Sequence, residues 1–118
     1  MQINWDGVGV YLATASVDMR KNIDGLSMMV ADRMQQSPQS LSVYVFYNRG
    51  HNKVKCLWWD KNGFVLYYKR LEKGRYKIPK TADANTLMLT GDELNWLLAG
   101  LEFMLMREQP QLSFNAYF

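Results

Sequence analysis

The sequence predicts a single α+β domain: a mainly antiparallel sheet of four to five strands covered by two principal helices. Three observations predict it. Runs of β-branched, aromatic or alternating residues recur at 7–13, 41–47, 53–59 and 64–71, each bounded by turn residues. Two stretches, 22–36 and 90–107, carry apolar residues at helical spacing. The length of 118 residues is that of one domain, and 48% hydrophobic content with four Trp is enough to fill one core without staples.

The elements follow in order. Gly7 to Ala13 reads as a first strand with Val8, Val10 and Leu12 on one face, and Asp18-Met19-Arg20-Lys21 is a polar turn. Ile23, Leu26, Met29, Val30 and Met34 define an amphipathic helix over 22–36. Asn22 is its expected N-cap, Asp24 complements the helix dipole, and Ser37-Pro38 ends it. Leu41 to Tyr47 is the second strand, with Val43, Val45 and Tyr47 on one face and Tyr44 and Phe46 on the other.

After the loop Asn48-Arg49-Gly50-His51-Asn52 comes a third strand, Lys53 to Trp59. Asp60-Lys61-Asn62-Gly63 has the chemistry of a type I turn closed by a left-handed glycine, so a hairpin with a fourth strand, Phe64 to Leu71, is expected. With Asp60 set opposite Phe64, one face pairs Trp58 with Leu66 and Cys56 with Tyr68. The other face then pairs Trp59 with Val65, Leu57 with Tyr67, and Lys55 with Lys69. Opposed lysines are unfavourable unless an anion lies between them, which makes that second face the candidate binding surface. Glu72-Lys73-Gly74 is a further turn, and Arg75 to Ile78 is the optional fifth strand before Pro79.

Thr81 to Asn85 is a polar linker, followed by Leu87-Met88-Leu89. Thr90 and Glu93 have capping-box spacing, and Leu94, Leu97, Leu98, Leu101 and Leu105 continue a helix to about Arg107. Residues 111–118 have no clear period and either pack back on the sheet or fray.

Charge is strongly polarised. Between Arg49 and Lys80 there are ten bases against two acids, Asp60 and Glu72, for a net +8. The whole chain carries only +3, because residues 81–118 hold one base against five acids and residues 1–48 three bases against four acids. Such a segment concentrates polyanions, and rings interleaved with its cations suit stacking on unpaired bases or packing against sugar. A protein-docking face and solvated decoration remain open readings of the same residues.

Other chemistries find little support. One histidine, His51, and one cysteine, Cys56, cannot assemble a familiar zinc site, and Cys56 reads as strand interior. Gly7-Val8-Gly9 lacks the third glycine and following helix of a dinucleotide loop. Asp18, Asp24 and Asp60 sit where Asp side chains serve caps and turns. No catalytic residue, metal or cofactor is expected. The lone cysteine, the absence of a membrane-length apolar run and the lack of a signal-like start fit a soluble cytoplasmic protein.

The run VKCLWWDKNGFVLYYKRLEKGRYKIP, Val54 to Pro79, resembles the central block of the TnpB accessory proteins of the bacterial insertion-sequence class numbered sixty-six. VYLA at Val10–Ala13, DMRK at 18–21 with IDGL after it, VFYNR at Val45–Arg49 and LLAG at Leu97–Gly100 extend the likeness over about residues 7–102. The carrying positions are Asp18, Met19, Arg20, Lys21, Leu57, Trp58, Trp59, Asp60, Gly63 and Gly74. Asn4-Trp5-Asp6 and Thr14-Ala15 depart from the family pattern, as do Val17 and Asn22.

The resemblance implies a non-catalytic accessory role in DNA transposition, beside a separate transposase that carries the acidic triad. Expected partners are therefore nucleic acid, most directly the element's DNA, and the transposase. Joined to the charge pattern, it nominates Arg49, Lys53, Lys55, Lys69, Arg70, Lys73, Arg75 and Lys77 as phosphate contacts, with Trp59 and Tyr67 packing against sugar or base. The alternative is an adaptor that docks on the transposase without touching DNA.

Overall fold

The computed structural model describes residues 4–80 and 85–108. The predicted tail at 111–118 and most of the linker at 81–85 lie outside the described residues. The described residues form a five-stranded mixed sheet, mostly antiparallel, with three helices, an α+β architecture. In chain order these are β1 (Gly9–Ala13), α1 (Ile23–Asp32), β2 (Ser42–Tyr47), β3 (Lys53–Asp60), β4 (Gly63–Arg70), β5 (Thr86–Leu89), α2 (Gly91–Leu98) and α3 (Phe103–Glu108).

Strand order is β4-β3-β2-β1-β5. β1 and β2 run parallel across the crossover helix α1, and every other neighbouring pair is antiparallel. This topology buries β2 almost completely, as its predicted two-sided apolar pattern requires: Val43, Tyr44, Val45 and Phe46 are essentially inaccessible.

Each strand shows a different set of residues to each face. On one face Tyr11 stacks on Tyr44 at 5.6 Å between ring centroids, and Phe46, Lys55, Leu57 and Trp59 continue the layer. Helix α1 packs there against β3 and β4, burying Leu26 and Val30. The opposite face carries Val10, Leu12, Val43, Val45, Val54, Cys56 and Trp58. Trp58 meets Trp5 edge-on at 5.4 Å, and the Trp5 indole N–H donates to Asn95 of α2 at 3.2 Å. Gly91 makes room for this approach, since a Cβ there would lie 2.9 Å from the Trp5 Cβ. Gly91→Ala is therefore expected to lower stability by about 1–2 kcal/mol, checked by thermal unfolding, even though alanine favours helix.

Three local expectations are corrected. First, the hairpin closes with Asp60 opposite Gly63, not Phe64. The left-handed residue is Lys61 (φ 52°), so the connection is the two residues Lys61-Asn62. The Asn62 amide donates to the Asp60 carbonyl. That one-residue shift changes every cross-strand partner: Trp59 faces Phe64, Trp58 faces Val65, Leu57 faces Leu66, Cys56 faces Tyr67, and Lys55 faces Tyr68. Lys55 and Lys69 consequently sit on opposite faces, and the expected like-charge opposition does not exist.

Second, the fifth strand is Thr86–Leu89, paired to β1, while 75–78 is an extended strap outside the sheet. Third, the helix from Thr90 does not run to Arg107. The capping box forms as expected, with the Thr90 hydroxyl accepting from the Glu93 amide at 3.1 Å and the Glu93 carboxylate accepting from the Thr90 amide at 2.8 Å. Gly100 (φ 81°) then ends α2: its amide donates to Leu97 and the Leu101 amide to Trp96, the two bonds of a Schellman stop. Phe103 restarts the chain as α3, fully buried.

A cationic pole at one end of the sheet

Parallel β1 and β2 deliver the loops that follow them to the same end of the sheet. There the 14–21 segment meets the 48–52 loop, and the Val17 amide donates to the Tyr47 carbonyl at 2.8 Å. β3 starts at this end and β4 finishes at it, so Lys53 and Arg70 are directly paired there. The strap beyond β4 is tied to the same place: Leu71 donates to the Asn52 carbonyl at 2.8 Å and Tyr76 to the His51 carbonyl at 2.7 Å. Tyr76 itself is buried, with its hydroxyl 3.3 Å from the Lys69 carbonyl, and burial pushes that phenol well above the ordinary tyrosine range.

Asn48 shapes the loop that carries Arg49. Its side-chain oxygen accepts from the amides of Asn52 and Lys53, both at 3.0 Å, and its side-chain nitrogen donates to Asn52 at 2.7 Å. His51 takes φ 57° and lies edge-on to Tyr47. Arg49 is left exposed on a braced loop. With Arg20, Lys53, Gly50 and Tyr68 it lines a hollow of about 480 Å³.

The turn opposite is held by Lys55, which is 4% exposed. Its ammonium donates to the carbonyls of Met19 (2.7 Å) and Lys21 (2.8 Å) and to the Asn22 side chain (3.0 Å), filling all three donors. It also lies 5.2 Å from the centroid of the Tyr68 ring. Burial lowers the Lys55 pKa, and the nearby Asp18 carboxylate partly offsets it. Asn22 occupies the N-cap position as expected, but its side chain makes no cap bond; it accepts from Lys55 instead.

Asp18 closes the turn by accepting from the Arg20 amide at 2.9 Å and pairing with the Arg20 guanidinium at 2.6 Å. The Arg20 side-chain hydrogen bond, chiefly, holds the Asp18 carboxyl at about 2. Because this folded value lies below the ordinary 3.8, the ion pair supports the turn above that pH and is lost as pH falls toward 2. Arg20→Ala is expected to move the Asp18 titration, followed by NMR of the carboxyl carbon, back up toward the ordinary aspartate value.

Among the nominated cations, Arg49, Lys53, Arg70, Lys73, Arg75 and Lys77 all fall at this pole or on the strap leaving it. Arg20 and Lys21, named in sequence only as motif positions, join them. Among the described residues three carboxylates share the region: Asp18 and Glu72 are each paired to an arginine at the surface, and Glu102 lines a hollow on the strap with His51, Arg75 and Lys77. Lys55 and Lys69 are engaged internally: Lys69 donates to the Leu98 carbonyl at the end of α2 at 2.8 Å. Trp59 packs edge-on to Phe64 at 5.0 Å beside the hairpin tip, about 20 Å along β3 from Lys53. Tyr67 faces Cys56 on the α2 side of the sheet. The ring that accompanies the cations is Tyr68, 52% exposed.

Of the remaining motif positions, Leu57 is core, Trp58 packs on Trp5, Asp60 and Gly63 close the hairpin, and Gly74 (φ 77°) turns the strap. Asp18 and Asp60 lie at opposite ends of the sheet and Asp24 in the first turn of α1, so the three carboxylates do not converge. Cys56 is fully buried, and burial raises its thiol pKa far above the ordinary value. Among the described residues no group of three or more His, Cys, Asp or Glu is placed to hold a metal ion. Among them, too, no helix is long and apolar enough to cross a membrane.

Comparison with known proteins gives a family. The family described as IS66 Orf2 like protein matches residues 8–108. Two curated relatives, both from Sinorhizobium fredii, are similar along most of their length. "Uncharacterized protein y4jC" is 29% identical over 104 residues, 88% of each chain. "Uncharacterized protein y4hO" is 30% identical over 96 residues, 81% of this chain and 83% of the relative. No solved structure matches.

Proposed function

Because the chain belongs to the IS66 Orf2-like family, we propose that it is a non-catalytic accessory protein of insertion-sequence transposition that grips the phosphate backbone of the element's DNA through the cationic pole. Family membership fits the accessory role in transposition. The grip is supported by one observation above all: cations from four separate chain segments, 20–21, 49–53, 70 and 73–77, gather at one end of the sheet. Cations gathered this way raise local polyanion concentration and engage successive phosphates.

The arrangement favours duplex over single strand. Stacking on unpaired bases needs several exposed rings beside the cations, and among the described residues Tyr68 alone is so placed; Trp58, Trp59 and Tyr67 are half-buried elsewhere. Phosphate contacts of this kind position a protein without reading sequence, so target choice rests with other components of the transposition machinery. The setting would be the cytoplasm, with the transposase as the protein partner.

The test is a salt titration of binding to duplex DNA by the purified protein. Affinity is expected to fall by about 0.9 log unit per log of salt for each phosphate engaged. Lys61→Ala, at the far hairpin tip, is expected to leave that slope unchanged. Salt-independent binding would remove the phosphate grip, and no DNA binding together with co-purification of the transposase from nuclease-treated lysate would replace this reading by the adaptor.

A further inference from the structure

The two edges of the sheet are protected unequally. β5 is four residues long, short enough to offer little to a stray strand. β4 is eight residues long, and its centre, Phe64-Val65-Leu66-Tyr67-Tyr68, has no charge and no proline. It has no bulge either, since its register with β3 is unbroken from Lys53↔Arg70 to Asp60↔Gly63. Natural sheets ordinarily blunt such an edge with charge, proline or a bulge.

The antiparallel ladder fixes which backbone groups of β4 no other described strand uses. Leu71 donates to Asn52 across the end of the β3–β4 pair, so the odd-numbered residues of β4 turn their N–H and C=O toward β3. Phe64, Leu66, Tyr68 and Arg70 turn theirs outward, a row of four donors and four acceptors.

We propose that a second copy of this chain pairs antiparallel with the outer edge of β4, the two Tyr67 residues meeting at a twofold axis and the two sheets becoming one. In this register Phe64 faces the partner's Arg70 and Leu66 faces the partner's Tyr68, so all four outward residues on each copy exchange hydrogen bonds. Charge argues for a second copy as the occupant. β4 carries Lys69 and Arg70 at one end, the latter paired with Glu72 at the surface, and at the other the Phe64–Trp59 ring pair on the same face as Arg70. Antiparallel self-pairing sets each guanidinium against an aromatic ring, a favourable arrangement, and keeps the two Arg70 side chains about 20 Å apart. A parallel partner would align the cations instead.

Sedimentation of the full chain tests the pairing, with amide exchange as an independent readout. The wild type is expected at twice 13.8 kDa, and Tyr68→Ala, which keeps the amide, stays dimeric. Tyr68→Pro removes an outward N–H that β3 does not use, so it is expected to be monomeric with the sheet intact. Should that variant misfold, hydrogen exchange of the wild type still decides: amides 64, 66, 68 and 70 gain protection as concentration rises. A wild type that stays monomeric at high concentration, or those four amides exchanging freely throughout, would overturn the proposal. Protection appearing only on addition of transposase would assign the edge to a foreign strand and overturn it equally.

Discussion

Replacing Lys55 with methionine is expected to cost about 3 kcal/mol of stability. The side chain is almost fully buried and satisfies two backbone carbonyls and the Asn22 side chain at 2.7–3.0 Å. Methionine keeps most of the stem volume but leaves those acceptors facing an apolar group. Hydrogen bonds to a charged donor are worth about 1.5–3 kcal/mol, and stranded buried acceptors cost about 1–3 kcal/mol each where water cannot reach them. For a domain of this size the loss corresponds to a Tm drop on the order of 10–15 °C, measured by circular dichroism.

The consequence should also be local. Lys55 ties β3 to the turn bearing Arg20 and Lys21, so exchange of amides 19–23 should accelerate before global unfolding does. Lys55→Arg is expected to recover only part of the loss, because a planar guanidinium does not match three converging acceptors. An unchanged Tm in Lys55→Met would show that water takes over the ammonium's bonds.

Lys55 also marks where sequence reading succeeds and where it stops. Its strand, its neighbours and its membership of a basic segment are legible from alternation and charge. Its burial is not, because nothing local distinguishes a lysine reaching solvent from one reaching oxygens 33–36 residues away. The hairpin misleads for a related reason. Asp60-Lys61-Asn62-Gly63 points to glycine as the left-handed residue, yet Lys61 takes that conformation, and a shift of one residue reassigns every cross-strand partner. Thr90 and Glu93 are readable because a capping box is complete within four residues. The break at Gly100 has a visible signal in the glycine, overridden by leucines continuing at helical spacing. Arg20 and Lys21 can be grouped with Arg49 from sequence only by recognising that β1 and β2 are parallel, which brings their following loops to one end. The same register shift in the hairpin is what hides Tyr68 from a reading of its faces.

The second large effect is expected at the pole. Changing Arg49, Lys53, Arg70 and Arg75 together to alanine should reduce the slope of log K against log salt by roughly 3 to 4 on duplex DNA, about 0.9 for each phosphate no longer engaged. None of the four side chains is buried, and Arg70 pairs only at the surface, with Glu72. The variant should therefore fold with a near-native Tm, because exposed pairs contribute little. The comparison that gives the result meaning is positional. Lys61 has the same charge and lies in the same segment of sequence, but at the hairpin tip, about 20 Å or more from the pole. If binding follows the segment's total charge, Lys61→Ala should cost as much as any pole residue; if it follows the gathered cations, it should cost almost nothing. Tyr68→Ala separates the ligands further. A loss of about 1–3 kcal/mol confined to single strands would mean a base stacks on that ring, whereas equal binding of duplex by both proteins leaves the phosphate grip as the whole interaction.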